Sequence, residues 1–150
     1  WTGLSGYDKY QLIIENIIFA SGSNVPNIQV GTGVGPSYLT SGYSTELLTV
    51  YGGTSGGNAQ ANISKFIIGQ VVNGNLAGQP YNAFVNITGI TSGTVAINGQ
   101  SMSAYGSGPL VFEGDTFTGS LVNTTTVTAI KFYATGNIVS GTASLYGISS

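Results

Sequence analysis

Apolar and polar residues alternate along most of this chain with a period of two, the repeat of a strand whose successive side chains point to opposite faces. In the opening run Tyr10, Leu12, Ile14, Asn16 and Ile18 fall on one face, and Gln11, Ile13, Glu15, Ile17 and Phe19 on the other. Both faces are largely apolar, so this strand is expected to be covered on both sides. Further strands are predicted over Asn27 to Gly31, Tyr43 to Tyr51, Asn62 to Val72, Tyr81 to Thr88 and Gly93 to Asn98. Four more are predicted over Leu110 to Glu113, Thr116 to Val122, Val127 to Ala134 and Thr142 to Ile148. In the last of these, Leu145 is expected to face the core, with Ser144 and Tyr146 on the opposite face.

Turn-forming clusters separate the runs: Ser21 to Asn24, Gly31 to Pro36, Gly52 to Asn58, Asn73 to Asn75 and Ser107 to Pro109. Asn73-Gly74 suits a type I′ hairpin, whose central residues both need positive φ. Glycine is 24 of 150 residues, and no window carries a convincing helical stripe free of it. The pattern predicts an all-β chain: a two-sheet β-sandwich of about 8–10 strands, jelly-roll-like, in a single domain over residues 1–150. A chain of this length can bury about 70% of its unfolded surface.

Composition narrows the function. Only 5% of residues are charged, against about 25% in an ordinary soluble domain. Hydroxyls, amides and backbone must therefore keep the surface wet. The formal net charge of −2 opposes association only weakly. There is no arginine and there are only three cations, which argues against a nucleic-acid surface. Leu12 to Ala20 is too short to cross a bilayer, and no signal peptide is evident. The first residue, Trp1, is expected to mark a processed product or a piece of a longer chain.

Without histidine or cysteine, a Ser-His-Asp triad, a thiolate nucleophile and imidazole metal ligands are all excluded. No catalytic residue, resident metal or cofactor is expected. Glu113 and Asp115 flank Gly114 and could share one side of an extended segment, the minimum for carboxylate chemistry. The simpler expectation is a turn between two strands with both carboxylates hydrated. A calcium site from Asp8, Glu113 and Asp115 lacks the spacing of a calcium loop. Gly31-Thr32-Gly33-Val34-Gly35 and Gly52 to Gly57 have neither a following helix nor a lysine, so neither reads as a phosphate loop. Tyr38, Tyr43, Tyr51 and Tyr105 lie beside glycine-rich loops and are the candidate glycan-stacking residues.

The two ends add a resemblance. Tyr7-Asp8-Lys9-Tyr10-Gln11-Leu12 and Gly136-Asn137-Ile138-Val139-Ser140-Gly141-Thr142-Ala143-Ser144-Leu145-Tyr146-Gly147-Ile148 bracket the chain. Together they resemble the first and last strands of a jelly-roll-like β-sandwich domain in virion proteins of tailed bacteriophages. About thirty residues carry the motif, and Ala134-Thr135 departs from the serine-rich text usual there. The resemblance implies a non-enzymatic tail-fibre, tail-tip or capsid-decoration component on the virion surface. It would assemble with copies of itself, as a trimer, and with other virion proteins. The alternatives are a carbohydrate-binding module for host surface glycans and a bacterial pilus or surface-layer subunit.

Overall fold

In the computed structural model, residues 1–20, 23–70, 79–91, 93–105, 111–123 and 125–149 are described, Tyr105 by its backbone alone. The strands are β1 (Lys9–Phe19), β2 (Pro26–Thr32), β3 (Ser37–Tyr38), β4 (Tyr43–Tyr51), β5 (Thr54–Ile63) and β6 (Phe66–Ile67). Then follow β7 (Tyr81–Thr88), β8 (Thr94–Tyr105), β9 (Val111–Val122), β10 (Val127–Ala134) and β11 (Ile138–Ile148). They form two packed antiparallel sheets, the sandwich that the period-two pattern predicts. The large sheet has the order β11-β1-β7-β8-β9-β4-β5. In the small one β10 pairs with one edge of β2, and β3 and β6 share the other.

First pairs with last (β1–β11), second with tenth (β2–β10) and fourth with ninth (β4–β9). This nesting is that of a long hairpin rolled up, which is how a jelly roll is wound. The departure is that the β7–β8 hairpin enters the large sheet between β1 and β9, leaving sheets of seven and four strands. The outer edge of β10 is covered by the chain start. The backbone N of Trp1 donates to the Ile130 carbonyl at 2.9 Å, Ile130 N donates to Trp1 O, and Leu4 N donates to Thr128 O.

The core fills the space between the sheets. Leu12, Ile14, Val85, Ile87, Ile97 and Phe117 point inward from the large sheet and meet Ile28, Val30 and Ile130 of the small one. Each such side chain contributes about 1.5–3 kcal/mol by leaving water. β7 keeps strict alternation, with Tyr81, Ala83, Val85 and Ile87 buried and the residues between them not.

Three expectations are corrected. β1 does not alternate to its end: Asn16 takes φ 54 and forms a bulge, anchored by its N–H donating to Asn82 Oδ1 at 2.9 Å. One extra residue switches the faces, so Ile17 and Phe19 join Tyr10, Leu12 and Ile14 in the core while Ile18 does not. The predicted Asn62 to Val72 strand is broken: Asn62-Ile63 ends β5, Ser64-Lys65 bend the chain, and Phe66–Ile67 is β6 in the other sheet. β5 runs through the glycine cluster, because pairing with β4 supplies what propensity lacks. Finally, Glu113-Gly114-Asp115 is no turn; it lies inside β9. Leu145 packs on the core but is only half-buried, since β11 is the sheet's edge. The predicted Asn73-Gly74 hairpin, the Ser107 to Pro109 turn, Ser21-Gly22, Val71-Val72 and Leu110 lie outside the described residues.

Candidate functional site

β9 pairs with β8 on one side and β4 on the other, which sets Asp115 between Thr49 and Ser101 and Glu113 between Tyr51 and Ser103. Alternation turns both carboxylates inward, away from Gly114. The inner face of the large sheet therefore changes from apolar to polar along β9: Leu121 and Phe117 are buried at one end, Asp115 and Glu113 at the other.

Asp115 is well served. Its Oδ1 accepts from the Thr49 hydroxyl at 2.6 Å, and its Oδ2 from the Ser101 hydroxyl at 2.9 Å and the Gln70 amide N–H at 3.2 Å. Charge-assisted bonds of this kind are worth roughly twice neutral ones, which makes a buried carboxylate tolerable. Tyr81, fully buried beside it, donates to the Ile68 carbonyl at 2.7 Å. Burial raises the Tyr81 pKa well above the usual phenol range, with the Asp115 charge adding to it, against the lowering effect of the Ser101 hydrogen bond.

Glu113 is not well served. It is only 9% exposed, and its Oε1 is buried with no hydrogen-bond partner among the described residues. Burial first, and the Asp115 charge second, push its carboxyl up to about 7. A folded-state pKa above the unfolded value means that the native state binds the proton more tightly. This group's stabilising contribution is thus complete below about 4.5, declines as pH rises, and is lost above about 7. Chemical denaturation between pH 4.5 and 8 should show this decline in the native chain and its absence in Glu113→Gln. Among the described residues, the titratable side chains next to Glu113 are Asp115 on its own strand and, by register, Tyr51 on β4.

The calcium trio of the sequence is divided. Glu113 and Asp115 are neighbours, but Asp8 accepts from the Thr91 N–H at 2.8 Å and the Thr91 hydroxyl at 2.5 Å, on a connection before β1. Those bonds hold its pKa below the usual carboxylate value.

Tyr38, Tyr43 and Tyr51 do not come together on one face. Tyr43 is fully buried, its hydroxyl donating to Val30 O at 3.4 Å and accepting from Val30 N at 3.0 Å, so it is a core residue and is withdrawn as a glycan contact. Its pKa is pushed up to about 12 by that burial. Tyr38 lies on β3 of the small sheet, where the Lys131 ammonium sits 5.4 Å from its ring centre and 4.8 Å from that of Tyr133. Tyr51 ends β4 in the other sheet. The side chain of Tyr105 lies outside the described residues.

The outer face of the large sheet carries what the sequence reading did not single out. Leu48, Val50, Phe84 and Met102 are 42–53% exposed there. Register places Met102 and Val50 on either side of Gly114, and Phe84 and Leu48 in the adjoining row with Gln100 and Thr116 between them. With no Cβ at Gly114, Val50, Phe84 and Met102 border a shallow depression of about 650 Å³. The clue lay in the alternation itself, which gives the polar-facing side of β4, β7 and β8 too many apolar residues. No family model, curated protein or solved structure matches the chain.

Proposed function

We propose that this domain is a non-enzymatic structural module of a bacteriophage particle, a tail-fibre, tail-tip or capsid-decoration component that assembles with copies of itself. The observation that carries the self-assembly reading is the apolar strip Leu48, Val50, Phe84 and Met102 on the outer face. Four large apolar side chains exposed on one sheet face, on a chain with few charges, suit a contact surface for a partner. The ends of the same sheet point the same way. β5 and β11 are its edge strands, and neither contains a charged residue or a proline. Monomeric β-proteins usually guard their edges with one or the other. The virion assignment rests on the terminal motifs, and the expected trimer on that resemblance.

Light scattering and sedimentation over a range of concentrations test the reading. The native chain should associate into a defined oligomer. Val50→Lys combined with Met102→Lys should give a monomer whose melting temperature is close to that of the native chain diluted to its monomer, since exposed substitutions usually stay within about 0.5 kcal/mol. A native chain that stays monomeric at high concentration would refute the assembly role.

A further inference from the structure

The inner end of β9 holds two carboxylates that are unequally served by hydrogen bonds among the described residues. Asp115 accepts three hydrogen bonds, whereas Glu113 Oε1 is buried with none. Beside Glu113 in the ladder, Ser103 is 3% exposed, and its hydroxyl makes no hydrogen bond among the described residues. A buried carboxylate oxygen without a donor is costly in free energy, and two carboxylates on one face of one strand repel. A proton or a metal cation relieves both. Among the described residues the side chains that the ladder sets around it carry oxygen: the two carboxylates and the Ser103, Ser101 and Thr49 hydroxyls.

We infer that Glu113 and Asp115, with the Ser103 hydroxyl, form a calcium-binding site at the polar end of the sandwich interior. Calcium accepts irregular sets of carboxylate, hydroxyl, carbonyl and water oxygens, while magnesium demands a near-ideal octahedron and gives up its waters reluctantly. Zinc favours nitrogen and sulfur ligands, and the chain has neither histidine nor cysteine. Two carboxylates neutralise one divalent ion. Asp115 can bind it through Oδ1 while keeping its donors: Oδ1 accepts only from Thr49 and has a second lone pair free, whereas Oδ2 already accepts from both Ser101 and Gln70. The site is independent of the outer-face strip, so its failure would leave the assembly reading untouched.

Chelator-stripped full-length chain at pH 8 is the material for the test, where the proton is no longer the preferred occupant of Glu113. Calcium at about 100-fold over its dissociation constant should raise the melting temperature by about 5 °C or more. Terbium, a calcium stand-in, should luminesce when tyrosine is excited, through Tyr81 and Tyr51, and calcium should quench that signal by displacement. Glu113→Gln should abolish both responses while melting no lower than the native chain without calcium, since it removes a buried charge. Asp8→Asn, which alters a carboxylate held elsewhere, should retain both. Absence of both responses in the native chain would overturn the inference and leave Glu113 to a proton. So would a response surviving in Glu113→Gln, one lost in Asp8→Asn, or an equal response to magnesium.

Discussion

Truncating Phe66 to alanine is expected to cost about 3–5 kcal/mol, a large part of the roughly 5–15 kcal/mol that holds a domain of this size together. β6 is two residues long, so it is not held by ladder hydrogen bonds alone; its anchor is this ring. Phe66 is fully buried, pairs with Ile28 in the small sheet, and meets Tyr43 of the large one edge-on, with ring centres 4.8 Å apart. The ring lies where a side chain of residue 119 would start: a Cβ on Gly119 would stand 2.7 Å from it and 2.8 Å from the Ser44 carbonyl oxygen. Gly119→Ala alone should therefore destabilise by about 1–3 kcal/mol through overpacking. In the double variant the ring is gone and only the Ser44 contact remains, so the two losses should sum to more than the measured total. Urea melts of the four chains give the coupling. Strict additivity would mean that the ring does not seat on β9 as described.

Gly141→Ala is the second large effect, expected at about 3 kcal/mol or more. Residue 141 has φ +114, which L side chains rarely adopt, and lies where β11 meets the β1 bulge. A Cβ there would come within 2.6 Å of the Asn16 carbonyl oxygen and 2.7 Å of the Ile17 Cα. Both are main-chain atoms of the bulge, held by the Asn16 bond to Asn82 and the Ile17 pairing with Tyr81, and cannot swing aside. Backbone strain of about 1–3 kcal/mol adds to an overpacking term of similar size. Gly35→Ala is the matched control: nothing stands within 4 Å of its Cβ position and its φ is not in the left-handed region. Thermal melts should separate the two variants by several degrees. Equal stability would remove the tight β1–β11 approach.

The alternation that was plain in Tyr43 to Tyr51 and Tyr81 to Thr88 is the alternation of burial in β4 and β7. There the side chains themselves state which way they face. What was hidden depended on neighbours distant in sequence. Adjacent isoleucines on both sides of Asn16 make either register of β1 look apolar, so the bulge left no trace in the pattern. Thr54 to Asn58 has the composition of a loop and becomes strand because β4 offers a ladder. The acidic pair looked like a hydrated turn because its hydroxyl partners, Thr49 and Ser101, come from other strands. Tyr43 was misplaced for a related reason. Its flanking glycine suggested exposure, but its hydroxyl finds a buried partner in Val30.

The nesting of first strand with last has a consequence for how the chain emerges from the ribosome. Lys9 pairs with Ile148, and Pro26 with Ala134, so neither ladder can close until almost the whole chain has been made. At ~5–20 residues per second, β1 precedes β11 by on the order of ten seconds. Its first available partner is β7, which zips against it from Lys9–Thr88 to Ile17–Tyr81 about sixty residues before β11 is made. Until then a strand rich in isoleucine stands with both edges open, next to identical strands on neighbouring ribosomes. Contacts this distant also close slowly, because loop entropy must be overcome before they repay it. Expression at lower temperature or slower initiation, which spaces nascent chains apart, should therefore raise the soluble yield more than any change to the folded surface.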